Sequence, residues 1–316
     1  MSFQKSFVGA VINKKTLRNE KFLSEMDQVI PWDKFTDEII PYYKKAKTWR
    51  PKMELIMMLK IYFLQQWFGL SDPAMEDSIY DRISFQKFLD IDIMWDKIPD
   101  ETSILKFRHL LEKHKLQEKF FRIVTKLLEE KWLIVKEWTA VDATIIQAPS
   151  STKNKDKKRD EEMSSTKKWN KRHFWMKAHI WVDSKNGTVH TIETTTVSVH
   201  DRKMYDELLH WEEKAVFWDK WYYNEEEKRK ARKKWVFFGI LDKAKRWKKL
   251  SNKQEKRNKK LSSIRSKVEH PFKVLKCQWN YTKTRYKWLL KNWLQLNAIF
   301  ALVNLYMTRK KLILMM

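Results

Sequence analysis

The hydrophobic pattern of the chain changes character near residue 130, and that change limits the folds open to it. Before it, apolar residues recur at helical spacing. Met53 to Phe68 (MELIMMLKIYFLQQWF) reads as a helix opened by Pro51. LSDPAMEDSIYDRISFQKFLDID reads as short helices around Pro73. IPDETSILKFRHLLEKHKLQEKFFRIVTKLLEEK starts after Pro99 with acidic residues, which suit a helix N-terminus, and continues amphipathically. After residue 130, WLIVKEWTAVDATIIQA is rich in strand-forming, β-branched residues.

The second half continues in mixed fashion. Pro149 to Arg172 is dense in Ser, Thr, Lys and Asp and reads as a solvated, mobile loop. HFWMKAHIWVDS and TVHTIETTTVS read as two strands joined by a hairpin turn at Lys185, Asn186 and Gly187. DRKMYDELLHW reads as a helix, KAVFWD as a short buried strand ending on Asp219, NEEEKRKARKK as a helix and WVFFGIL as a strand. A basic linker, Lys243 to Lys260, leads into LSSIRSKVEHPFKVLKCQW, a helix despite Pro271, and Lys283 to Lys311 reads as one helix or two. This order predicts an α/β fold: a ribonuclease H-like mixed sheet with flanking helices, preceded by a mostly helical domain. The expected domains are 1–125, for DNA binding, and 126–316, for catalysis.

Charge narrows the partner. Lys and Arg total 66 against 40 Asp and Glu, a formal net charge of +26. Such an excess repels itself in a compact chain and calls for a polyanion, of which nucleic acid is the leading class. A membrane anchor would gather the cations on one amphipathic helix, whereas here they are spread along the chain. The apolar run Leu294 to Met307 is short and interrupted by Gln295, Asn297 and Asn304, so it reads as a buried helix rather than a membrane span. No secretory signal is visible at the N-terminus, and a cytoplasmic, nucleoid-associated protein is expected. The single cysteine, Cys277, reads as a half-buried small side chain.

Three carboxylates stand out. Asp142 sits within the first strand, Asp219 ends a later one, and Glu269 lies on a helix. A lone charge in a buried strand is costly unless it is paired or metal-bound. Mg²⁺ is held by few carboxylates and keeps water and phosphate oxygens as its other ligands. Three carboxylates from distant segments fit that need.

On longer segments the chain resembles the DDE-type insertion-sequence transposases of the insertion-sequence-five group. The N-terminal half carries the resemblance in FLSEMDQVIPWDKF, LQQWFGLSDPAMEDSIYDRISFQKFL and IPDETSILKFRHLLEKH. The C-terminal half carries it in VDATIIQAPSSTKNKDKKRDEEMSSTKK, MKAHI, VHD, IRSKVEHPFKVLK and YTKTRY. The resemblance implies Mg²⁺-dependent cleavage at the ends of an insertion element, with Mn²⁺ able to substitute, and joining of the freed 3′-hydroxyl to target DNA. It places the catalytic, metal-binding carboxylates on Asp142, Asp219 and Glu269. It gives DNA contacts to Arg265, Lys276, Lys273 and Lys177. The partners it implies are terminal inverted repeats, target DNA and a second copy of the chain. A catalytically inactive, transposase-derived DNA-binding protein is the alternative. Ser262 stands where the family often has Tyr. His179, His200 and His270 fall in family-like segments, with structural or DNA-contact roles expected rather than metal ligation.

The glycine and tryptophan counts are unusual. The chain has 4 Gly and 17 Trp, where average usage would give roughly 22 Gly. Trp49, Trp132, Trp138, Trp169, Trp175, Trp181, Trp218, Trp221 and Trp288 stand where the resembled family usually has Gly, and Trp211, Trp235 and Trp247 join them. Reading these as glycine changes the counts to 16 Gly and 5 Trp. The expectation is that the native organism reads UGA as glycine.

Overall fold

The computed structural model describes residues 16–43, 53–153, 158–168, 171–199, 214–218, 236–242 and 250–316. These fall into two compact units, residues 1–114 with 308–316, and residues 115–307.

The first unit is helical: α1 (Arg18–Val29), α2 (Trp32–Ile39), α3 (Leu55–Phe68), α4 (Asp72–Asp81), α5 (Ile83–Leu89) and α6 (Glu101–Lys113). Helix α3 is apolar on all sides, so it must be covered on all sides. Residues from Met57 to Trp67, apart from Lys60, are accordingly buried, with Phe63 against Trp32 and Phe35. Helix starts follow local chemistry. Ser71 caps α4 by accepting the Ala74 N–H, with Pro73 in the first turn, and Asp100 caps α6 by accepting the Ser103 N–H at 2.8 Å. Asp72 binds Arg108 and Gln65, tying α4 to α6 and α3.

The second unit opens with α7 (Leu116–Glu130) and forms a six-stranded mixed sheet from β1 (Trp138–Gln147), β2 (Ser164–Lys168), β3 (Lys171–Asp183), β4 (Val189–Thr196), β5 (Ala215–Trp218) and β6 (Phe237–Ile240). β1 is central, antiparallel to β3 and parallel to β5, which is in turn parallel to β6. β2 and β4 share the other edge of β3, β2 along its first residues and β4 along its last. The expected loop at Pro149 to Arg172 is therefore corrected. It holds β2 and the start of β3, because its Ser, Thr and Lys residues can line a polar edge strand once β3 offers free backbone groups. Gly239 on β6 faces Phe217 on β5, and a Cβ there would lie 2.5 Å from the Phe217 ring, so β5 and β6 need glycine at that point.

After β6 comes α8 (Asn252–Arg265), then a 3-10 turn (Ser266–Val268), α9 (Glu269–Lys273), a π turn (Val274–Gln278) and the long α10 (Leu289–Leu314). The expected linker thus becomes helical from Asn252, where Ser251 and Gln254 form a capping box. The final helix is single. Its interrupting polar residues are buried but bonded: Asn304 accepts the Val189 N–H and donates to the Val189 carbonyl, Gln295 accepts the Tyr281 hydroxyl, and Asn297 donates to the Trp293 carbonyl. Cys277, in the π turn, is exposed rather than half-buried; the buried residues of that turn are Val274 and Leu275. No helix among the described residues is long and apolar enough to cross a membrane.

The β3–β4 hairpin forms where the sequence predicts, with Gly187 at φ 76°. Its anchor is Asp183, which is buried. One carboxylate oxygen accepts the N–H groups of Lys185 and Asn186, and the other accepts those of Val135 and Lys136. Asp183→Ala would leave four N–H groups in need of acceptors. We expect a loss of about 3–5 kcal/mol, since each buried unsatisfied donor costs about 1–3 kcal/mol and water reaches some of them. Chemical denaturation of the two proteins measures it, and a loss below about 1 kcal/mol would refute this role.

Candidate functional site

Asp142 lies midway along β1, opposite Ile180 of β3. β1 is flanked on both sides by other strands, so its position is fixed by two ladders. The Asp142 carboxylate is half-buried, accepts the Ala143 N–H at 2.9 Å, and faces the Arg265 guanidinium at 4.0 Å. Arg265 is the last residue of α8, so the end of that helix lies over the middle of β1.

Glu269 is exposed and opens α9, directly after the 3-10 turn that packs on β1 and β3. The change of helix type has a local cause. Pro271 lacks an N–H and its ring clashes with the carbonyl four residues back, that of Lys267. Lys267 is the middle residue of the 3-10 turn. Its ammonium donates to the Lys185 carbonyl in the β3–β4 turn at 3.2 Å, so the turn held by Asp183 also holds the segment preceding Glu269.

The π turn places Lys276, which donates to the Ile145 carbonyl of β1 at 2.9 Å. Burial pushes its ammonium below the ordinary lysine range. π turns inside helices recur at functional sites. Arg265 and Lys276 therefore both reach β1, while Glu269 and Lys273 are exposed between them. Lys177 on β3 donates to the Val199 carbonyl at 2.9 Å. His179 is buried and bonded to Thr195 at 2.8 Å, which is a packing role. His270 is exposed. Asp219 and His200 lie outside the described residues, as do the predicted helices DRKMYDELLHW and NEEEKRKARKK apart from residues that flank them. Among the described residues no group of three or more His, Cys, Asp or Glu side chains is placed to hold a metal ion. Asp142 and Glu269 offer hard oxygen donors of the kind that Mg²⁺ takes.

A groove of about 700 Å³ runs beside α8, floored by Trp138, Phe217, Phe237 and Leu261. Lys253, Lys256 and Lys260 of α8 stand on its rim. Two further rim cations are already paired, Lys214 with Glu137 and Arg257 with Asp242. The sequence reading missed this rim because it took Lys243 to Lys260 as linker. The Ser251–Gln254 capping pair was the available signal. It also missed Asp183, although Asp-Ser-Lys-Asn-Gly carries the Asx-turn chemistry that fixes it.

Comparison with known proteins bears directly on this arrangement. Residues 11–110 match the family model described as a transposase domain of the DUF772 type. Residues 135–305 match the model described as a transposase DDE domain. No solved structure matches the chain. The mixed sheet behind a helical region agrees with the ribonuclease H-like fold expected of such a domain. The second match alone spans more than half of the residues and contains all six strands, with Asp142 and Glu269 among them; the chain therefore belongs to the DDE family of DNA transposases.

Proposed function

We propose that this transposase cuts DNA at the ends of its element and joins the freed 3′-hydroxyl to target DNA, with Asp142, Asp219 and Glu269 as the metal-holding carboxylates. The observation that carries this reading is the register of the two central parallel strands. Trp138, Thr139 and Ala140 of β1 pair with Ala215, Val216 and Phe217 of β5. Asp219 is the residue that follows β5 in the chain, and β5 is the parallel neighbour of the strand that carries Asp142. Glu269 follows a turn packed on the same strand, and we infer that it joins the two aspartates in holding the metal.

A divalent cation held there would polarise the scissile phosphate and lower the pKa of an attacking hydroxyl; Mg²⁺ is the expected ion and Mn²⁺ its substitute. The remaining work falls to the chain. Arg265 faces Asp142 and sets the orientation of its carboxylate. Lys276 ties the π turn to β1 at the Ile145 carbonyl. Lys273 is exposed next to Glu269 and suits a phosphate contact, as does the rim of α8. A cationic side chain near phosphate adds affinity without reading sequence. Pairing two element ends for a coordinated cut calls for two copies of the chain on DNA.

The first test is cleavage of DNA bearing the element's own ends. Both the written chain and a version with glycine at the twelve tryptophan positions named above are assayed with Mg²⁺ or Mn²⁺. We expect metal-dependent cutting that falls by more than about a hundredfold in Asp142→Ala and in Asp219→Ala, ligands of a metal being at least as sensitive as the residues behind them. End-binding should survive both changes. Variants that still cut at the parental rate would remove these carboxylates from the reaction, and binding without cutting in either version would leave a DNA-binding derivative.

The second test is salt dependence. Each phosphate contact contributes about −0.9 to the slope of log affinity against log salt. Changing Lys253, Lys256 and Lys260 to Gln should flatten that slope by roughly 1 for every lysine that contacts phosphate. An unchanged slope would take the α8 rim out of the DNA interface.

A further inference from the structure

The backbone marks two of the tryptophans as misplaced. Left-handed φ values crowd Cβ against the following carbonyl, and for a bulky residue they are genuine outliers. Among the described residues, Trp132 has φ 56° and Trp288 has φ 73°. Trp288 thus matches Gly69 and Gly187, at 71° and 76°, while Trp132 lies with Asp90, Lys115, Lys136 and Asn280, which have φ between 50° and 60°.

At each position the backbone is held by bonds that do not involve the indole. Helix α7 ends in a Schellman motif. The Leu133 N–H returns to the Leu128 carbonyl at 2.8 Å, and the Trp132 N–H to the Glu129 carbonyl at 2.9 Å. The accompanying apolar contact is present too, since Leu128 and Leu133 are both buried. The residue between them in this motif is left-handed and usually glycine. Helix α3 also ends on a left-handed residue, Gly69, with the Leu70 N–H returning to the Gln65 carbonyl at 3.2 Å. Trp132 gains little in return for the strain, as 78% of it is exposed.

Residue 288 is pinned from both sides. Its N–H donates to the Asp160 carboxylate at 2.7 Å, its carbonyl accepts the Asn292 side chain at 2.9 Å, and the next N–H donates to Glu162 at 2.6 Å. These bonds fix the start of α10 whatever the side chain. A third tryptophan, Trp181, stands at the irregularity between β3 and β4, where a strand glycine commonly marks a bulge. Trp32 differs from all three. It is in a right-handed helix, donates its indole N–H to the Asp27 carbonyl at 3.0 Å, and packs on Phe63.

We propose that positions 132 and 288 are glycine sites, and that the native chain carries glycine there because its ribosomes read as glycine the codon rendered here as tryptophan. Both positions adjoin helix ends, and neither is among the proposed metal-holding residues. Trp132→Gly and Trp288→Gly each relieve a strained left-handed residue. Each should raise the thermal midpoint of the full chain by roughly 2–4 °C, and the double variant by the sum, since the sites share no partner. Trp32→Gly should lower it. A midpoint that stays put or falls in both single variants would overturn the proposal. If the written chain does not unfold cooperatively, cooperative unfolding of the double variant supports the proposal, and its absence from both counts against it. Peptide mass spectrometry of the protein from its native source is the second readout: glycine at 132 and 288 supports the proposal, and tryptophan at both ends it. Neither measurement uses DNA or metal, so a failure here leaves the transposase reading untouched.

Discussion

The buried carboxylate of Asp183 is the point on which the catalytic unit turns. Four backbone N–H groups from two segments converge on it, two from the connection between α7 and β1 and two from the β3–β4 turn. A carboxylate is suited to this because it is acceptor-only, with room for several donors. The arrangement aligns the start of β1 with the end of β3. The β1–β3 ladder then runs from Thr139 opposite Asp183 to Gln147 opposite Trp175, and Asp142 has its place within it. The same turn receives the Lys267 ammonium, so the segment leading to Glu269 is referenced to the strand carrying Asp142 through one carboxylate and one turn.

The helix carrying Glu269 shows how an apparent defect becomes a positioning device. A regular α-helix from Asn252 to Gln278 would keep Arg265, Glu269 and Lys276 near one face, which is how the sequence reads. Pro271 forbids that helix. The chain tightens to a 3-10 turn before the proline and widens to a π turn after it. The result turns Arg265 and Lys276 both toward β1 while Glu269 stays exposed. Two cations then lie along the strand that bears Asp142. Lys276 is partly desolvated there, which lowers its pKa.

Much of this was legible in the sequence, and the exceptions have causes. Long apolar or amphipathic segments were read as helix: α3 from its apolar run, and α6 and α7 from amphipathic spacing after Pro99, without the break at His114 and Lys115; the β3–β4 hairpin was read from Asn186-Gly187. β2 was read as loop because its residues, Ser164 to Lys168, have no apolar alternation, and only the partner strand makes them a strand. The N-terminal part of α8 was read as linker because a helix with a single buried apolar residue, Leu261, has no period to detect. Asp142 was identifiable as a carboxylate in a strand, and Glu269 came from the family resemblance. The distortion that turns Arg265 and Lys276 toward β1 while Glu269 stays exposed depends on how the chain resolves Pro271 in three dimensions.

Helix α8 states the electrostatic problem of the whole molecule in miniature. It buries one apolar side chain, so packing alone contributes little to keeping it folded. Its described supports are the Ser251–Gln254 box and the Asp242 clasp, in which Arg257 binds the carboxylate while Asn258 bonds the backbone on both sides. Against these stand the mutual repulsions of Lys253, Lys256, Lys259 and Lys260, spaced so that several share a face. A phosphate backbone reverses the sign of that repulsion. The helix is continuous in sequence with Arg265 and the turn before Glu269, so neutralising its cations also steadies the segment on which the proposed chemistry depends. On the proposed reading, phosphate contacts along α8 would offset part of the self-repulsion of a chain with an excess of 26 positive charges.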